Sequence, residues 1–175
     1  MRKENSEFNM YFLSQPGVQL LHNNDYYGCS ELDGFACYVV ADGLCSGNHK
    51  QPDPSARIAV EAVISAFNEK PSIGKGAIAK YLKAAHNALY DTKYVTGGRA
   101  SVMVVVTNYQ RLRYGHAGNC RFNLYRSGKI FEESDDNSLA LELIKSSRLQ
   151  KDKIAEHEER NNLDPKFPAI FLPTR

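Results

Sequence analysis

The chain has 175 residues, of which 42% are hydrophobic and 24% charged. This length and composition predict one folded domain over residues 1–175 and exclude a largely disordered chain. The 22 basic and 20 acidic residues leave a formal charge of +2, which is too small to indicate nucleic acid or a membrane surface as a partner. Neither a span-length apolar run nor the apolar stretch of a signal peptide occurs, so we expect a cytoplasmic protein.

Four cysteines, Cys29, Cys37, Cys45 and Cys120, are spread through the chain. They contain no pair at the two-residue spacing that is typical of zinc sites, which usually close with short ligand spacings. We therefore expect reduced thiols with a mostly structural role rather than a zinc centre.

The first half of the chain predicts a hairpin turn, a strand and two helices. The Asp-Gly dipeptide at 33–34 favours a hairpin turn. The unbroken apolar run over 35–41 is typical of a strand that is covered on both faces. Asp53, followed by a proline, is a typical N-cap, and apolar side chains then recur at helical spacing over 54–67. The same spacing predicts a second helix over 76–90.

In the second half the apolar period changes to that of strands. The order of all the elements predicts sequential antiparallel strands with helices in pairs, and not a βαβ alternation. We therefore expect an α+β fold of four layers, α-β-β-α, in which two antiparallel sheets pack face to face between helix pairs. The predicted strands are 100–107, 112–117, 121–125 and 130–131, and two more helical patches cover 139–145 and 151–159.

One acidic residue stands where chemistry is expected. Asp42 lies at the end of the apolar strand that begins at residue 35, and Gly43 is the next residue. Hard divalent cations take oxygen ligands, which a carboxylate and a carbonyl freed by a glycine can supply. The alternative is a common Asp-Gly turn at a strand end. Asp25 is a second acidic candidate, for which the alternative is an Asx turn.

Short segments along the chain resemble, in the same order, motifs of the metal-dependent protein serine/threonine phosphatases of type 2C, the PPM family. The Asn-Asn-Asp of 23–25 resembles the end of the family's Arg-x-x-Asn-x-Asp, and the Asp-Gly of 42–43 resembles the start of its Asp-Gly-x-Gly-Gly. The resemblance covers about residues 11–163. Further similar segments are 98–101 (family Gly-Thr-Thr/Ala), 118–121 (Gly-Asp-Ser-Arg), 124–128 (Tyr-x-x-Arg-x-Gly), 136–139 (Asp-His-Ser-Leu) and 157–163 (His-Pro-x-Arg-Asn-x-Leu).

The resemblance implies a phosphatase that hydrolyses phosphoserine and phosphothreonine in phosphoprotein substrates through a metal-activated water. It makes Asp42 the catalytic residue, as the carboxylate that bridges two Mg²⁺ or Mn²⁺ ions. It also implies that the backbone carbonyl of Gly43 is a ligand to the same metals and that Asp25 is a further carboxylate of this metal site. Asn119 stands at the position of an aspartate that is linked to a third metal in the family, where a neutral amide is a weaker ligand.

Several departures from the family pattern bear on activity. Leu20 stands at the position of the arginine that contacts phosphate, and Cys45 and Ser46 replace two glycines. The acidic segments that complete the metal pair do not occur before Arg175. We therefore expect weak metal binding and a fold that is incomplete at the C-terminus, with a sheet edge through which the chain dimerises. The alternative functions are an inactive phosphatase-like binding or regulatory domain, or an unrelated α+β binding module.

Overall fold

The computed structural model describes residues 9–18, 22–43, 53–96 and 99–135, together with residues 146, 150 and 153. Within these residues the chain forms two antiparallel sheets and two helices. This arrangement confirms the predicted α+β fold. The elements are β1 (Asp25–Leu32), β2 (Phe35–Gly43), α1 (Ser55–Glu69), α2 (Ala77–Thr96), β3 (Ala100–Thr107), β4 (Leu112–Ala117), β5 (Asn123–Arg126) and β6 (Lys129–Glu133).

The larger sheet has the order β1-β2-β3-β4, with every neighbouring pair antiparallel. The interior strands are β2, which the sequence predicted to be covered on both faces, and β3. β3 is buried along almost its whole length, as a continuous apolar run requires. The outer strands β1 and β4 each pair on one side among the described strands. Pairing of such an edge with a second chain stays a prediction.

The smaller sheet is the hairpin β5–β6, and it turns at Ser127 and Gly128. Both residues have positive φ angles, 48° and 75°, as a tight hairpin turn requires. The hairpin connects to the larger sheet through Phe122, whose ring stacks on Tyr114 at a centroid distance of 4.3 Å. The helical patches predicted over 139–145 and 151–159 lie outside the described residues, apart from Lys153.

Helices α1 and α2 cover one face of the larger sheet. Strand geometry sends alternate side chains to opposite faces, and the β2 residues Cys37, Val39 and Ala41 lie in one core cluster with both helices. Burial raises the pKa of Cys37 to about 12, so this thiol stays protonated as a small core side chain. No described helix has the length and hydropathy that crossing a membrane requires. The largest fully buried side chains of the helices are Tyr81, Phe67, Leu89, Val60 and Val63.

The start of α1 differs by one residue from the prediction. The helix begins at Ser55 with Pro54 at the N-cap position, whereas the sequence placed Asp53 there and proline at the first helical position. Asp53 still performs the capping function, because its Oδ1 accepts a hydrogen bond of 2.7 Å from the Ser55 N–H. Such a bond satisfies one of the amide donors that have no partner within the helix.

We predict that Phe67→Ala lowers the free energy of unfolding by about 3–5 kcal/mol, because it opens a cavity in the core. Phe67 is 0% exposed and meets the edge of Tyr81 at a centroid distance of 6.0 Å. Phe131→Ala is the matched control, since Phe131 is 59% exposed, and it should cost less than about 1 kcal/mol. Urea unfolding of the two variants measures both values, and equal losses would contradict the assigned core.

Candidate functional site

Two carboxylates meet at one end of the larger sheet. Asp25 is the first residue of β1, and it is the register partner of Asp42 near the end of β2. Directly opposed residues of an antiparallel pair have Cβ atoms about 4.5–5.5 Å apart. The two side chains share a hydrogen bond. The structure thus brings together the two acidic residues that the sequence singled out, on the sheet face turned away from the helices.

This proximity changes the protonation of Asp42. Burial raises the pKa of its carboxyl group to about 6, and the negative charge of Asp25 and their shared hydrogen bond raise it further. The physical reason is that two carboxylates in a partly desolvated site cannot both ionise without mutual repulsion. One proton is therefore retained between the pair at mildly acid pH.

Asn24 fixes the strand end and the start of α1 around the two carboxylates. Its backbone carbonyl accepts a hydrogen bond of 3.0 Å from the Gly43 N–H, and its side-chain Oδ1 accepts one of 2.9 Å from the Asp53 N–H. A Cβ on Gly43 would lie 2.9 Å from the Asn24 carbonyl oxygen, closer than real Cβ atoms come to a backbone atom. Glycine is therefore required beside Asp42 by close backbone approach.

The two alternatives to a functional site can be compared with these contacts. Asp42 lies within β2, paired on both sides, rather than in a turn. The Asx-type hydrogen bond at the start of β1 is made by Asn23, whose Oδ1 accepts from the Asp25 N–H at 3.0 Å. The Asp25 carboxylate is hydrogen-bonded to Asp42 instead.

A third polar residue lies beside Asp25 and Asp42, on the next strand of the sheet. Ser101 in β3 is the other register partner of Asp42, and it is fully buried. Its Oγ donates a hydrogen bond of 2.8 Å to Oδ1 of Asn119. Gly118 has a φ of +89°, and a Cβ there would lie 2.3 Å from the Ser101 Oγ. The turn after β4 therefore packs directly on Ser101. The role of Asn119 at a third metal stays a prediction.

A cleft of about 320 Å³ opens over the paired carboxylates. One wall is aromatic, where Phe12 stacks on Tyr27 at a centroid distance of 4.1 Å. Arg121 lines the same cleft. In the sequence, Arg121 belongs to the segment 118–121 that matches a motif, but it was assigned no role. The signal that could have identified it as a site residue is its position directly after Gly-Asn-Cys at 118–120. The lining consists of Phe12, Leu13, Ser14, Asp25, Tyr26, Tyr27, Val40, Ala41, Asp42, Cys120 and Arg121.

The donor atoms of this site suit a hard cation. Mg²⁺ is usually bound through one or two carboxylates and keeps several of its waters. The two carboxylates of Asp25 and Asp42 match this number of protein ligands. Across the described residues, no group of three or more histidine, cysteine, aspartate or glutamate side chains could hold a metal. These residues therefore fit one cation with water ligands, and they supply too few oxygens to hold two octahedral ions tightly.

We predict that Asp42→Asn stabilises the metal-free protein at neutral pH but not in acid. The folded-state pKa of about 6 exceeds the ordinary value of about 3.9 in an unfolded chain, so the folded chain binds this proton more tightly. The contribution of Asp42 to stability is complete below about pH 4 and is lost as the pH rises through about 6. Because solvent screens this partly exposed site, the expected gain at pH 7.5 is about 1 kcal/mol.

Urea unfolding at several pH values, with a chelator present, measures this gain. The matched control is Asp33→Asn, the same chemical change at the exposed turn of the same hairpin, where φ is +54°. At pH 7.5 it should not show the gain in stability that is expected of Asp42→Asn. A constant difference between Asp42→Asn and the unsubstituted chain from pH 4 to pH 7.5 would contradict the assigned proximity.

Comparison with solved structures shows where this fold occurs. The serine/threonine phosphatase of S. agalactiae aligns with a TM-score of 0.76 and 19% identity, over 93% of this chain and 68% of that chain. The phosphatase PstP/Ppp of Mycobacterium tuberculosis aligns with a TM-score of 0.67 and 20% identity, over 90% and 66%. A Staphylococcus aureus serine/threonine phosphatase aligns with a TM-score of 0.75 and 16% identity, over 93% and 66%. The chain thus spans about two thirds of the length of these proteins.

Comparison at the level of sequence gives the family. No curated protein matches the chain. The family model of protein phosphatase 2C matches residues 18–142, which is more than half of the chain and includes both carboxylates and the turn after β4. The chain belongs to the protein phosphatase 2C family.

Proposed function

We propose that this chain is a metal-dependent protein serine/threonine phosphatase, built as one phosphatase-like domain over residues 1–175 and working in the cytoplasm. The observation that carries the proposal is the pair Asp25 and Asp42, held face to face at the end of the sheet. The matched family model supports the reaction class, since it covers this pair. The substrates are phosphoproteins that carry phosphoserine or phosphothreonine.

The proposed roles follow from the positions of the side chains. Asp42 and Asp25 hold a Mg²⁺ or Mn²⁺ ion, with the backbone carbonyl of Gly43 as a further ligand. When bound, such an ion lowers the pKa of a coordinated water and neutralises charge on the phosphoryl oxygens. The carboxylates orient the site, and the partial burial of Asp42 strengthens its interaction with charge. No cysteine is needed as a nucleophile.

We predict that Mn²⁺ raises the melting temperature of the metal-free chain. The cation relieves the repulsion between Asp25 and Asp42 and binds only the folded state, because the pair is assembled by the sheet. At a free concentration ten times Kd, the gain in the free energy of unfolding is about 1.4 kcal/mol, or roughly 3–6 °C for a chain of this size. Asp42→Asn should abolish the rise, whereas Asp33→Asn should retain it, as thermal melts with and without Mn²⁺ will measure.

A melting temperature that Mn²⁺ does not change would remove the support for this metal site. Equal rises in both variants would show that Mn²⁺ acts elsewhere on the chain. Loss of the rise in Asp42→Asn alone would locate the cation at the paired carboxylates, and this result does not depend on any catalytic turnover.

We predict metal-dependent hydrolysis of a phosphothreonine peptide, which tests the proposed function directly. Release of phosphate should require Mn²⁺ or Mg²⁺ and should stop on chelation. Asp42→Asn should lower kcat/KM by at least about 100-fold, since loss of groups that only support metal ligands already costs 10–100-fold. Asp33→Asn should keep the activity of the unsubstituted chain.

The inactive-domain alternative predicts the opposite pattern. It expects the phosphopeptide to bind without release of phosphate at any concentration of Mn²⁺. Metal-dependent release that survives Asp42→Asn would also contradict the proposal, because the reaction would then occur without the carboxylate assigned to it.

A further inference from the structure

The cleft over the paired carboxylates has a basic residue on its wall. Of the described residues that line it, Asp25 and Asp42 are acidic and Arg121 is basic. Arg121 is exposed and lines this cleft, so a ligand that enters from solvent meets its side chain. The cleft therefore contains both the paired carboxylates and a basic side chain.

The position of Arg121 is set by the sheet rather than by a mobile loop. The residues before it form the turn that packs on Ser101, where Asn119 and Gly118 make the close contacts already described. The His116 ring adds a contact of 3.3 Å from Nδ1 to the Gly118 carbonyl oxygen. After it, the Phe122 N–H donates to the Ser134 Oγ at 2.8 Å. Arg121 is thus held on both sides along the chain.

The charge balance of the cleft indicates what kind of ligand fits. Two carboxylates repel any anion, so a phosphoryl group can enter only against compensating positive charge. A cation at Asp25 and Asp42 supplies part of that charge. A guanidinium group supplies the rest, because its planar donors match two phosphate oxygens at once.

We propose that Arg121 binds the phosphoryl group of the substrate, opposite the cation held by Asp25 and Asp42. The identity of the ligand rests on the proposed phosphatase function. Arg121 acts as a substrate-binding residue that contacts the non-bridging phosphoryl oxygens, and no bond to it forms or breaks in the reaction.

A second arginine near Asp25 provides a comparison. Arg57 lines a second cleft that also includes Asp25, a space of about 470 Å³. Its Nη1 lies 3.5 Å from Oε1 of Glu61, one turn further along α1. Arg57 does not line the cleft that contains both carboxylates, whereas Arg121 does, so the geometry favours Arg121 as the phosphate ligand.

The test is an NMR titration of the ¹⁵N-labelled full chain with inorganic phosphate in the presence of Mg²⁺. Phosphate should shift the amide signals of residues 118–121. Arg121→Ala should weaken binding about 10–100-fold, as expected when a hydrogen bond to a charged group is lost, and Arg121→Lys should retain part of the affinity. The matched control is Arg113→Ala, an exposed arginine on the helix-facing side of β4, which should bind as the unsubstituted chain does.

The proposal would be overturned if phosphate did not bind, if Arg121→Ala left the affinity unchanged, or if the signal changes were centred on Arg57. An equal loss in Arg113→Ala would also overturn it, since the effect would then be general charge screening. This readout is independent of turnover. A chain without hydrolysis that still loses phosphate affinity in Arg121→Ala would contradict the proposed function but support the role of Arg121.

Discussion

The antiparallel register between β1 and β2 is the constraint on which the candidate site depends. A shift of one residue would turn one of the two carboxylates toward the helices and separate the pair. The register is held by the apolar side of β2, where Cys37, Val39 and Ala41 are buried in one core with α1 and α2. The same packing that stabilises the fold thus places Asp25 opposite Asp42.

The paired carboxylates therefore lower the free energy of unfolding, against the contribution of the core. Two carboxylates beside each other, one of them half-buried, raise the free energy of the folded state at neutral pH. The surrounding backbone accommodates this cost through specific contacts, such as the hydrogen bonds that Asn24 makes to Gly43 and Asp53. A cation between the carboxylates would offset the repulsion and would thereby couple metal binding to folding at this end of the sheet.

Much of the fold could be predicted from the sequence, because helical and strand spacing of apolar residues are local signals. The helix over 54–67 and the strands over 35–41 and 100–107 were located within two residues of their observed bounds, whereas the helix predicted over 76–90 extends six residues further, to Thr96. The boundaries differed where local rules compete. At the start of α1, Pro54 and the capping side chain of Asp53 shifted the first helical residue by one position.

For function, the sequence by itself determined that Asp42 stands at the end of an apolar strand and is followed by a glycine, and that a second acidic residue precedes it. It could not determine which residues lie near Asp42, since those contacts join segments far apart along the chain. Strand pairing decided the contact with Asp25, and the packing of the turn after β4 on Ser101 brought Arg121 to the same cleft. Burial then set the pKa of Asp42, because desolvation and the field of a neighbouring charge exist only once the sheet has formed.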